Sequence, residues 1–195
     1  KNIFEKIFKI ILTNVDMPYA ITHVLIALIV AELIRDYLIK DKKKFPLHYV
    51  LIAGIAGLLP DIDILFYLFV GISPIAAMKE LKINNFHPSF THSLLWIPIF
   101  LSLSFILLEL EKRKKIREIK FSGIFFMITL GYTVHLLLDG ILNGYIRILF
   151  FSQPIGMNLI PATSFGDILM AGIDAILLIL WIVHEELRHR ISRFI

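Results

Sequence analysis

Five blocks of largely apolar residues run through this chain of 195 residues, with short charged segments between them. They fall at Tyr19 to Ile39, Leu47 to Val70, Phe90 to Leu110, Phe121 to Leu142 and Phe165 to His184. Each is about the 20 residues that an α-helix needs to cross a hydrocarbon core. Inside lipid every backbone N–H and C=O must be satisfied within the segment, so such blocks read as transmembrane helices. The composition agrees. Hydrophobic residues make up 57% of the chain, against about 45–50% in a soluble domain, and the mean hydropathy is +0.79. The expected fold is all-α: an integral membrane helical bundle of about five transmembrane helices, forming one domain over residues 16–195. Residues 1–15 read as an N-terminal amphipathic interfacial helix, with Ile3, Phe4, Ile7, Phe8 and Ile11 on one face and Glu5, Lys6 and Lys9 elsewhere. Lys1 to Val15 lacks the long apolar centre and small-residue cleavage site of a secretory signal. No internal repeat or low-complexity tail is evident.

The basic residues orient the bundle. Lys40, Lys42, Lys43 and Lys44 follow the first block. Lys112, Arg113, Lys114, Lys115, Arg117 and Lys120 separate the third from the fourth, and Arg188, Arg190 and Arg193 follow the fifth. With five alternating crossings these segments share one side, while the opposite connections hold Lys79 and Lys82 in one and Arg147 in the other. Basic loops stay in the cytoplasm, so the C-terminus is expected there and the start of the first span outside. The lysines of the N-terminal helix oppose this weakly, since anionic headgroups accommodate them on either leaflet.

Ionisable groups within apolar spans are costly, and their default reading is functional. Four segments carry them: Thr22-His23, Pro60-Asp61-Ile62-Asp63, His87 through Thr91-His92-Ser93, and His135 with Asp139. In an alternating bundle all four reach one layer. His23 lies roughly 6 Å inside the outer end of its span at 1.5 Å per residue. Asp61 lies roughly 21 Å along a core about 30 Å thick, counted from the inner side. His135 is at a similar height, and His92 opens its span from outside. His135 and Asp139 share a helix face. Pro60 weakens the helix beside Asp61 and Asp63, so that a kink or break turns both carboxylates inward.

A lone buried histidine in a membrane helix usually serves a helix–helix hydrogen bond. Seven imidazole and carboxylate groups at one depth point instead to metal. There are no cysteines, which excludes thiolate sites and leaves zinc, manganese, iron or magnesium on His and Asp. Seven ligands exceed the needs of one ion, and two ions account for the surplus.

Other polar groups read differently. His48, His184 and His189 sit beside basic segments and read as interfacial, without chemistry. Glu32, Arg35 and Asp36 are expected to pair with one another. Asp167 reads as part of a capping box that begins at Ser164. Asp174 is either a partner orienting a ligand histidine or a polar link between helices. Arg147 is able to grip a phosphate through two parallel hydrogen bonds; headgroup contact is the other reading.

These motifs resemble a known family. Leu59-Pro60-Asp61-Ile62-Asp63, then His87 and Thr91-His92-Ser93, then Gly131-Tyr132 with His135 and Asp139, look like the YdjM-like family of membrane-bound proteins assigned as metal-dependent hydrolases. That family is distantly similar to zinc-dependent phospholipase C. Thr22-His23 fits its N-terminal histidine, and the resemblance runs from about Met17 to Pro161. It implies His23, Asp61, Asp63, His87, His92, His135 and Asp139 as metal ligands. One departure is Pro88, where the family has Arg directly after the first His of its His-Arg-x-x-Thr-His-Ser motif.

The resulting expectation is a metal-dependent hydrolase, zinc first among the metals, holding one or two ions. Its substrate is a lipid or lipid-linked phosphoester at the outer leaflet, and no nucleic-acid partner is expected. Asp63, His92 and Asp139 are the candidate catalytic residues, with Asp63 as general base. Arg147, Thr91 and Ser93 are the candidate substrate contacts. A metal or proton transporter is the alternative. It needs polar groups that continue to the inner face, whereas the inner halves of the spans read mostly as Leu, Ile, Val and Phe. A scaffold with a structural metal is the third reading.

Overall fold

The computed structural model describes residues 20–39, 45–62, 90–114, 120–142, 146–149, 152–157, 159–160 and 164–189. The amphipathic helix expected over residues 1–15 lies outside these residues, as do Asp63 and His87. Among the described residues five α-helices follow in order: α1 (Ala20–Leu33), α2 (Leu47–Ala56), α3 (Trp96–Lys114), α4 (Phe121–Leu142) and α5 (Ser164–His189). No β-strand occurs among the described residues, only two isolated bridges, Ser93 with Arg147 and Ile146 with Ile155. α4 and the Ile168–Arg188 stretch of α5 are each long and apolar enough to cross a membrane.

The second block is not one continuous helix. α2 begins after Pro46, whose extended backbone presets the entry, and stops at Ala56. Pro60 is the reason: its ring clashes with the carbonyl four residues back, which is that of Ala56. The chain turns at Gly57 and tightens into a 3-10 turn over Leu59–Asp61. The third block also differs from expectation, because its helix starts at Trp96 rather than Phe90. Residues 90–95 form a turn instead. Leu94 N–H bonds the Arg147 carbonyl at 2.8 Å, and Arg147 N–H bonds the His92 carbonyl at 3.2 Å. That long-range pairing wins over the helical pattern. The first block ends in a π-helical turn over Ile34–Leu38, and the fourth matches its helix residue for residue.

α4 is the centre of the bundle, in contact with α1, α2 and α3, while α5 packs on α1. Gly131 lets α2 and α4 touch backbone to backbone. A Cβ there would overlap the Ala53 carbonyl and lie 2.8 Å from Ala56 Cβ and 2.9 Å from Gly57 N. Small residues at a crossing of this kind are how apolar helices approach closely in lipid. One core joins Ala31, Tyr49, Val50, Ala53 and Met127. A second, nearer the other end of α4, joins Tyr132, Leu136 and Ile146.

Both ends of α4 are tied down. At its start Ser122 donates to the buried Glu111 of α3, through its backbone N–H at 2.9 Å and its hydroxyl at 2.6 Å. An anion at a helix N-terminus also complements the dipole. At its end the last carbonyls accept from the following loop: Gly140 from Met157 N–H, Ile141 from Leu159 and Leu142 from Ile160. α5, by contrast, shows a broad apolar surface, with Ile168, Ile176, Ile179 and Leu187 all exposed.

Candidate metal centre

Four segments deliver five ionisable side chains to one point. His23 comes from α1, Asp61 from the turn after α2, His92 from the turn before α3, and His135 with Asp139 from successive turns of α4. His23, His92 and His135 are each no more than 2% exposed, and Asp139 is buried as well.

Asp139 is the hub. Its Oδ1 lies 3.1 Å from His23 Nε2, and its Oδ2 lies 3.0 Å from His92 Nε2 and 3.1 Å from His135 Nε2. Asp61 Oδ1 approaches the Nε2 atoms of His92 and His135 at 3.4 and 3.7 Å. Those two Nε2 atoms are 3.3 Å apart. The rings of His23 and His135 lie against each other at a centroid distance of 4.0 Å.

The back of the His135 ring decides its tautomer. Nδ1 faces the Gly57 carbonyl at 2.6 Å. A carbonyl only accepts, so Nδ1 carries the proton, and Nε2 of the neutral ring is a bare lone pair. That lone pair meets a carboxylate oxygen and a second imidazole nitrogen within 3.3 Å. Such contacts hold together through a proton on one of the nitrogens or through a cation placed between them. Donors held at the roughly 2.0–2.1 Å of zinc–nitrogen bonds sit about 3.3 Å from each other around a tetrahedron. The separations here match that edge, so the residues fit a small divalent cation. Two overlapping triads meet the geometry, His23–His135–Asp139 and Asp61–His92–His135.

The flanking residues hold this arrangement. Gly131 brings α2 close enough for the Gly57 carbonyl to reach His135. Tyr132 donates its hydroxyl to the Thr91 carbonyl, and Thr91 Oγ1 lies 3.1 Å from His92 Nδ1. Ser93 is fully buried, its hydroxyl donating to the Ile148 carbonyl and accepting from Leu95 N–H. Thr91 and Ser93, expected to touch substrate, therefore orient His92 and brace its turn. Arg147 pairs its backbone with this turn, while its guanidinium donates to the Ser152 carbonyl. Its Nε is buried without a hydrogen-bond partner among the described residues.

A family model for the YdjM inner membrane protein matches residues 17–191. The chain belongs to this family. It is therefore a membrane protein, and five of the residues on which the resemblance rested, His23, Asp61, His92, His135 and Asp139, come together in this YdjM-family chain. No curated protein and no solved structure is detectably similar to it.

Of the seven expected ligands of this YdjM-family chain, His23, Asp61, His92, His135 and Asp139 converge, and Asp63 and His87 lie outside the described residues. Asp174 accepts a hydrogen bond from the Thr22 hydroxyl. It is thus a polar link from α5 to α1, one residue from His23. The side chains of Asp167 and His189 are also outside the described set.

Other expectations need correcting. His184 is not a bystander: its Nδ1 lies 3.7 Å from Glu32 Oε2. Glu32 accepts from Trp181 Nε1 at 2.9 Å. Arg35 reaches Asp36 at 3.4 Å, and Arg188 reaches the same carboxylate at 3.5 Å. The end of the α1–α5 seam away from His23 is therefore polar, its carboxylates drawing partners from α5 as well as from the first block. His48 is exposed beside Tyr49. Sequence reasoning missed the Gly57 carbonyl, since backbone atoms carry no residue identity. The proximity of Gly57 to Pro60 was the one available signal, because a broken helix leaves carbonyls to be satisfied.

Proposed function

We propose that this protein is a membrane-embedded metal-dependent hydrolase of a lipid or lipid-linked phosphoester. The observation that carries the reading is the set of three Nε2 atoms directed at one buried carboxylate, with His135 held from behind by a carbonyl. His23, His92, His135 and Asp139 would hold the cation, zinc being the metal that best suits imidazole and carboxylate without thiolate. Asp139 turns one oxygen to His23 and the other to His92 and His135, and His135, with Nδ1 committed to Gly57, would offer its Nε2. A bound divalent cation supplies Lewis acidity toward water and toward a phosphoryl oxygen.

Asp61 is the least buried of the five, its side chain 16% exposed. It marks the open edge at which water and ester enter. Asp63, two residues on, is the proposed general base. Arg147 pairs its backbone with the His92 turn, and its Nε, buried without a hydrogen-bond partner among the described residues, is the proposed phosphate contact. The proposed topology has five spans, the metal centre in the outer half and the C-terminus in the cytoplasm, from the charge asymmetry of the loops.

The test is elemental analysis of purified protein, wild type against His135→Ala, paired with phosphate release from a panel of water-soluble esters and phospholipids. Bound metal and lipid turnover in the wild type, both lost in the variant, are expected. Metal without turnover of any ester refutes the hydrolase reading, and metal flux in proteoliposomes replaces it with transport.

A further inference from the structure

A second group of ligand-type side chains lies far from the first. Glu32 of α1 and His184 and Glu185 of α5 place one donor atom each within 4.8 Å of one another. Glu32 is 1% exposed and Glu185 is 7% exposed. Along α1, Glu32 is nine residues from His23, about 13 Å at 1.5 Å per residue, and the span between is apolar apart from its ends. The two groups are therefore separate. Next to Glu32 and His184 is a cavity of about 220 Å³, lined otherwise by Trp181 and apolar side chains such as Ile29 and Leu177.

We infer that Glu32, His184 and Glu185 form a second divalent-cation site that fastens α5 to the bundle from the inner side. When both are ionised, two carboxylates brought together in apolar surroundings repel. A divalent cation between them reverses the sign of that interaction, and the imidazole supplies a third ligand. Carboxylate and imidazole donors suit zinc, manganese or ferrous ion. The Trp181 indole N–H, 2.9 Å from Glu32 Oε2, orients a ligating carboxylate in the way that outer hydrogen bonds commonly do. The placement also has a mechanical reason: α5 packs on α1 and exposes most of its remaining surface. Its neighbour's Glu32 is the natural anchor.

Trp181 makes the site readable. The chain has two tryptophans, so Trp96→Phe leaves Trp181 as the sole emitter. Metal-free Trp96→Phe protein in detergent is titrated with Co²⁺ while tryptophan emission is followed. Saturable quenching is expected. Adding His184→Gln or Glu185→Gln should weaken the apparent affinity at least tenfold, whereas adding Asp139→Asn, which damages the outer centre, should leave it within about twofold. Absence of quenching in Trp96→Phe alone overturns the inference, and that measurement requires no variant of the cluster to fold. Quenching unchanged in both His184→Gln and Glu185→Gln overturns it too, leaving these groups as a proton-sharing ion cluster.

Discussion

Gly131→Ala tests the coupling between helix packing and the metal centre. The added Cβ would stand 2.8 Å from Ala56 Cβ and 2.9 Å from Gly57 N, and would overlap the Ala53 carbonyl. Ordinary van der Waals separation begins near 3.4 Å, so clearing Ala56 alone takes about 0.6 Å and clearing the Ala53 carbonyl takes more. The hydrogen bond between His135 Nδ1 and the Gly57 carbonyl, now 2.6 Å, would then stretch to or past the limit of about 3.2 Å for an N–H···O bond. Two effects follow. Overpacking costs typically about 1–3 kcal/mol. Loss of the bond that orients a ligating histidine lowers metal affinity by about 10–100-fold. Zinc affinity measured by chelator competition, alongside thermal unfolding in detergent, reads both. A Gly131→Ala protein with wild-type zinc affinity and an unchanged melting temperature would refute the close approach of α2 and α4 and the role given to Gly57.

Three further outcomes are expected. Asp139→Asn should weaken metal binding more than Asp61→Asn in the same chelator competition, because Asp139 touches three histidines and Asp61 only two, at longer range. Equal losses would argue against Asp139 as the hub. Glu111→Ala should lower stability by about 1–2 kcal/mol through loss of the α4 cap and leave zinc affinity unchanged, since His135 lies 13 residues further along α4, about 20 Å; denaturation and metal titration together check this. Because the chain lacks cysteine, single substitutions report sidedness: in intact cells Met157→Cys should react with an impermeant maleimide and Lys112→Cys should not, and the reverse pattern inverts the topology.

Local pattern carried some elements and not others. α4 was legible to the residue because its apolar run is uninterrupted and its ends coincide with polar connections. The His135–Asp139 pair followed from helical spacing, and the break beside Asp61 from Pro60. The lead-in to α3 was misread as helix because its conformation is set by pairing with residues around Arg147, more than fifty positions away. The same distance problem hid the contact between Glu32 and His184: one reads as a partner of Arg35 and Asp36 and the other as interfacial until α5 is laid against α1. Thr91 and Ser93 read as substrate contacts because they are hydroxyls beside a candidate ligand histidine; their hydrogen bonds to the His92 ring and to the Ile148 carbonyl become visible only in the fold.

The early end of α2 ties the fate of two things together. α2 is ten residues long, about 15 Å, so a helix that stops there leaves carbonyls with no continuing turn to receive them. One of these, on Gly57, is met by His135. Solvation of a severed helix and presentation of a ligand thus rest on a single proton. Whether or not a cation is held, a donor at position 135 is needed to meet the Gly57 carbonyl, so a histidine retained there in a relative lacking His23 and Asp139 would record architecture rather than chemistry.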